Sequence, residues 1–182
     1  MKKICLFFCV VFLLSCNSDD TEFSNPEFVD AVTGWYILTE IYTEEALDLN
    51  MNGEAHTELF QWNHYCNRAT LFDSYRLQIV SKVTYTNFNF RLPFSHVDEN
   101  LNQSYCITDG LSGNPLVIDE LLEEVTKTES DHWDNFLLEN FRAKFIDFKW
   151  EDGTVYITLE KEFYRADGVW VDAILHMKYE KL

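Results

Sequence analysis

Glycine is scarce in this chain, 6 residues in 182, and proline scarcer still, with 3. With so few glycines there is no phosphate-cradling glycine loop, and Gly-x-Ser-x-Gly and His-Glu-x-x-His are missing too. Positive charge is short as well: 14 basic residues stand against 31 acidic ones, a formal net charge of −17. Such a surface repels nucleic acid and anionic lipid and keeps the chain soluble. Beyond Cys16 no apolar run reaches the length that spans a bilayer. Carboxylates are too abundant for any pair to stand out as a catalytic dyad, so the chain is read as non-enzymatic and free of cofactors.

What is present begins at the N-terminus. Lys2 and Lys3 precede an apolar run from Ile4 to Leu14, and then come Ser15 and Cys16. A charged segment, an apolar stretch too short to span as a mature helix and a small residue before cysteine match a bacterial lipoprotein signal. Cys16 is the expected site of acylation, with a palmitate-type chain among its lipids, and it tethers the protein to the outer membrane; two or more chains at one cysteine make such an anchor stable. The following Asn-Ser-Asp-Asp-Thr-Glu is polar and acidic and reads as a flexible leash to about Pro26. Its acidic pair resembles the export signal that sends Bacteroidota lipoproteins to the outer face of the cell, so surface exposure is expected.

Without Lys2 and Lys3, 12 basic residues face 31 acidic ones, a mature charge of −19. An acidic tethered domain of this kind attracts basic proteins, and a basic partner is one expected function. The remaining chain is long enough for a single domain, and 47% hydrophobic with 16% aromatic residues supplies a core. Five cysteines reduce to two once Cys5 and Cys9 leave with the signal and Cys16 carries lipid. Cys66 and Cys106 then form an even pair in an oxidising compartment, and a disulfide is expected; two buried free thiols are the alternative.

Alternation of period two marks the strands. Val155, Ile157, Leu159 and Phe163 share one face of a strand from Thr154 to Phe163, and Val169, Val171, Ala173, Leu175, Met177 and Tyr179 share one face of the next. Asp152-Gly153 and Asp167-Gly168 punctuate these runs as hairpin turns, so the last stretch reads as a three-stranded antiparallel meander. Earlier, Trp35, Ile37 and Ile41 share a face, as do Leu77, Ile79, Val83 and Tyr85 over Arg76–Thr86; the parity then changes to Phe88, Phe90 and Leu92, which calls for a turn or bulge near Asn87. Arg68–Phe72 is a further short strand. Ile118, Leu121, Leu122 and Val125 follow helical spacing after Asn114-Pro115, and Trp133, Phe136 and Leu137 repeat it after a Ser130 cap. The expected architecture is an up-and-down barrel or a bent sandwich, with a short helical insert around 115–140.

Gly34-Trp35 opening the first strand, Asp48 to Gly53, Cys66 and Thr70-Leu71-Phe72 behind a lipobox together resemble the lipocalin-like lipoproteins of Bacteroidota. The resemblance implies a small closed antiparallel lipocalin-like barrel over 34–182, which follows the signal peptide read over 1–15 and the lipidated, flexible acidic tether read over 16–33. It implies no common catalytic activity. A small apolar ligand inside the barrel is the leading expectation, with Trp35, Tyr85, Phe163, Leu175 and Met177 as candidate lining residues and a monomer as the working state. Side chains that simply fill the interior are the competing reading.

Asp48, Asn50 and Asn52 hold the first, third and fifth positions of a calcium-loop pattern. The twelfth position, however, is Leu59, and Glu58 falls one short of the bidentate carboxylate such a loop needs. A turn built on Asn52-Gly53 is the stronger reading and a weak calcium site the weaker. His56, His64 and Cys66 lack a fourth zinc ligand, and a disulfide would consume the thiolate, so no metal is expected.

Overall fold

The structure is a computed structural model that describes residues 23–59, 76–82, 85–92, 94, 96–101, 103–105, 110–113, 115–128 and 130–182. The signal, Cys16, Cys66, Cys106, His64 and the strand expected over Arg68–Phe72 lie outside the described residues. The fold is mainly β, an antiparallel sheet curled into a half-barrel, with two helices among the described residues. In chain order these are α1 (Pro26–Val32), β1 (Gly34–Leu47), β2 (His56–Glu58), β3 (Arg76–Lys82), β4 (Tyr85–Arg91), β5 (His96–Asp98), β6 (Gln103–Tyr105), β7 (Gly110–Gly113), β8 (Leu116–Asp119), β9 (Glu124–Lys127), α2 (Asp131–Phe141), β10 (Ala143–Glu151), β11 (Thr154–Tyr164) and β12 (Trp170–Lys181).

The main sheet runs β10-β11-β12-β1-β3-β4-β7, with β2 added to β1, while β5–β6 and β8–β9 are separate hairpins. First and last strands therefore meet: β1 pairs antiparallel with β12 from Tyr36↔Lys181 to Thr43↔Leu175. A closed barrel would also need β7 to join β10. It does not, so the expected closed barrel is corrected to an open one whose seam lies between those two edges. The β8–β9 hairpin spans that seam, with β8 packed beside β4 and β9 beside β10. The α2 helix lies next to β10, and its Trp133 ring rests so closely on Gly113 of β7 that any Cβ there would collide with it.

The C-terminal meander forms as its alternation dictates. Glu151 pairs with Thr154 across Asp152-Gly153, where φ is 46° and 76°, the left-handed values of the hairpin turn that matches strand twist. Tyr164 pairs with Trp170 around the second turn, closed by Arg165 N–H donating to Val169 O at 2.9 Å. Val155, Ile157, Leu159, Phe163, Leu175, Met177 and Tyr179 are all buried.

Elsewhere four expectations fail, each for a local reason. In β1 the buried residues are Tyr36 and Leu38, then Ile41 and Thr43, because the register shifts between Leu38 and Glu40. A bulge exchanges the two faces of a strand, so Trp35, reckoned backward from Ile41, comes out 48% exposed. The single strand expected over Arg76–Thr86 is two strands, with Lys82 opposite Tyr85. The chain thus reverses before Asn87, and Tyr85 at the hairpin mouth is 44% exposed. Ile118, Leu121, Leu122 and Val125 form no helix: Ile118 pairs with Val125 across a hairpin whose tip exposes Leu121 and Leu122. Finally, residues 26–32 are helix rather than leash. Asn25 caps α1 by accepting from Phe28 N–H at 3.1 Å, Pro26 starts it, and Phe28, Val29 and Val32 are buried.

The interior is packed with rings. Phe88 of β4 meets Phe148 of β10 edge-on at 5.7 Å, and Phe90 meets Phe145 at 5.8 Å. Those strands lie far apart in sheet order, so the two contacts show how tightly the sheet curls. Edge-to-face geometry adds to area burial in such pairs. The end near α1 is closed by Tyr36, whose hydroxyl donates to Val32 O and accepts from Trp150 Nε1 at 3.0 Å, with Phe28 edge-on to Trp150. Burial pushes the Tyr36 phenol up to about 12, an effect that the Trp150 bond opposes.

Candidate functional site

Of the five residues expected to line a ligand cavity, Phe163, Leu175 and Met177 lie together on the buried face, whereas Trp35 and Tyr85 are exposed. On the same buried face stands a residue that periodicity alone should have flagged. Lys161 falls between Leu159 and Phe163 in the inward series of β11 and is 1% exposed. Its cross-strand neighbours are Ala143 and Ala173, small enough to leave room for its stem. The ammonium donates to Phe141 O at 3.2 Å and to Glu162 O at 3.4 Å. It also sits 5.3 Å from the centre of the Phe163 ring. Burial without a carboxylate partner lowers its pKa to about 7, with the Glu162 charge working the other way.

The calcium-like loop spends its oxygens on its own backbone. Asp48 accepts from Asn52 N–H at 3.1 Å and from Gly53 N–H at 2.8 Å, and Asn52 accepts from Glu54 N–H at 2.8 Å. Asn50 accepts from Asn52 N–H at 3.2 Å. Positive φ at Met51 and Gly53 completes the turn. Among the described residues no group of three or more His, Cys, Asp or Glu side chains is arranged to hold a metal ion.

Two surface grooves lined by described residues differ in charge. The first, about 160 Å³, is lined by Glu44 and Glu45 of β1, Glu160 of β11, Asp172, Ala173 and Ile174 of β12. Strand pairing assembles it, because Glu160 lies opposite Ile174 and Glu162 opposite Asp172. Like charges directly across strands repel, as Glu162 and Asp172 do, and Arg142 relieves that pair by binding Glu162 at 2.6 Å. Glu44 receives a hydrogen bond from His176 Nε2 at 3.0 Å, and that imidazole stacks on Tyr42 at 4.9 Å. Among the described residues Glu45, Glu160 and Asp172 have no ion pair. The second groove, about 500 Å³, is lined by Trp35, Arg76, Asn89, Phe90, Arg91, Gly110, Leu111 and Ser112. Neither groove was visible in the sequence, where its residues are scattered over four or three strands.

The chain matches no protein-family model, no curated protein and no solved structure. Among the described residues no helix is long and apolar enough to cross a membrane.

Proposed function

We propose that the protein is a lipoprotein acylated at Cys16, held at the outer membrane and displayed on the cell surface, whose half-barrel is a non-enzymatic module that captures a basic protein. One observation carries this reading: Glu44, Glu45, Glu160 and Asp172 converge on a single groove, three of them without an ion pair among the described residues. Four of the chain's 31 acidic residues thus gather where a cationic side chain would be drawn in. Complementary charge of this kind speeds encounter and fixes register more than it adds affinity. A biosensor titration with cytochrome c as the basic probe tests it. Binding should be saturable at low salt, weaken as salt rises and vanish in a variant carrying Glu44→Gln, Glu45→Gln, Glu160→Gln and Asp172→Asn. Salt-independent binding, or a variant that binds as well as the parent, would refute it.

A second reading keeps the lipocalin-like resemblance: a small apolar molecule held inside the curl. The aromatic lining of Phe88, Phe90, Phe145, Phe148 and Phe163 favours it. Phe88 already packs on Phe148, Phe90 on Phe145 and Phe163 on Phe94, so a ligand there would have to displace them. Lipid extraction of the purified protein followed by mass spectrometry separates the two, since only an interior ligand would co-purify.

A further inference from the structure

On the outer face of the sheet, one register row crosses four strands without interruption. Trp35 of β1 pairs with Gln78 of β3, Gln78 with Asn89 of β4, and Asn89 with Ser112 of β7. At about 4.8 Å per strand the row is roughly 14 Å long, the reach of about three linked sugar rings. It begins with a half-exposed indole, continues through two carboxamides joined by Asn89 Nδ2 donating to Gln78 Oε1 at 3.4 Å, and ends on a hydroxyl. Alongside it lie Arg76 and Arg91, each two residues from the row on its own strand. Both are exposed, and neither has an ion pair among the described residues, although acidic residues outnumber basic ones 31 to 14. Among the described residues no carboxylate lines this groove. Its floor is open at Gly110, opposite Arg91, where an added Cβ would meet nothing within 4 Å.

We propose that this groove binds an acidic saccharide, a short glycan segment bearing carboxylates. An indole face stacks on the C–H face of a pyranose, and carboxamides and a hydroxyl offer both donors and acceptors to sugar hydroxyls. Guanidinium forks grip carboxylates in bidentate fashion, and two adjacent ones with no ion pair among the described residues are relieved by an anion between them. A long polyphosphate does not fit, because two cations cannot offset repulsion from a body of charge −17. This site is separate from the acidic groove and does not depend on what that groove binds.

Calorimetric titration of the full chain with trisaccharides of galacturonate, glucuronate and sialate, beside neutral maltotriose and inorganic phosphate, tests the assignment. At least one acidic trisaccharide should bind saturably, and maltotriose about tenfold more weakly or not at all. Arg76→Gln, Arg91→Gln and Trp35→Ala should each weaken binding by about tenfold, with Arg91→Lys recovering only part because it lacks the fork. Circular dichroism on each exposed-site variant controls for folding. No saturable binding of any acidic trisaccharide, binding unchanged in the arginine variants, or phosphate binding as tightly as the sugars would each overturn the proposal.

Discussion

On one side of β1 lie β12, β11 and β10, of 12, 11 and 9 residues; on the other lie β3, β4 and β7, of 7, 7 and 4. The long side is a meander joined by short turns and is stabilised by its own cross-strand pairs. The short side ends at the open seam, and what holds it there is borrowed cover: the β8–β9 hairpin and α2. Each side also presents a different outer surface, with carboxylates on the first and guanidinium groups on the second that have no ion pair among the described residues. A half-barrel can therefore be closed by packing rather than by hydrogen bonds, and its two flanks are free to differ in chemistry.

Breaking the borrowed cover should have the largest effect. Gly113→Ala puts a methyl group into the Trp133 ring, and we expect a loss of about 3 kcal/mol in urea unfolding. Probes in β11 and β12 should report a later transition than probes in β4.

On the long side the buried amine of Lys161 ties stability to pH. Lys161 has its folded-state pKa lowered to about 7, below its ordinary 10.5. Between those values the unfolded chain holds a proton that the folded one lacks, so stability rises with pH from about 7 to 10.5 and is flat for this group below 7. Lys161→Met should abolish that rise and stabilise the protein by about 2 kcal/mol at pH 6. Urea midpoints collected across pH would show it. Tyr36 acts in the opposite sense above pH 10, because its pKa is raised to about 12 and the folded state keeps the phenolic proton longer.

Smaller effects follow at the helices. Tyr36→Phe leaves Trp150 Nε1 without its partner and should cost about 1.5 kcal/mol, read as a lower thermal midpoint. Ser130→Ala removes the hydroxyl that accepts from Trp133 N–H at 3.4 Å at the start of α2. It should cost about 1 kcal/mol in the same assay.

How much of this was legible follows the same division. The meander was readable because Leu175, Met177 and Tyr179 repeat one parity without exception and Asp-Gly marks the turn before them. Around β1 the segment Trp35-Tyr36-Ile37-Leu38 is apolar on both faces, so alternation could not choose between them, and the bulge before Glu40 decided it unseen. Tyr36 could be the inward residue only because Val32 and Trp150 satisfy its hydroxyl. Ile118 and Val125 fit helical spacing as well as they fit opposite positions of a hairpin, and four-residue strands are too short to tell the two apart. Ser130 with Trp133 and Leu137 was correctly read as a capped helix. The two grooves depend on register between distant strands, which no local pattern encodes.

Capture of a basic protein by the acidic groove would engage the outer face of β1, β11 and β12 and leave the packed interior closed. Backbone chemical-shift mapping of the isotopically labelled protein on titration with cytochrome c tests it most directly. Shifts are expected at Glu44, Glu45, Glu160 and Asp172 that disappear at high salt, with Leu159, Phe163, Leu175 and Met177 unmoved. Shifts centred on those four interior residues, with the acidic groove silent, would contradict it.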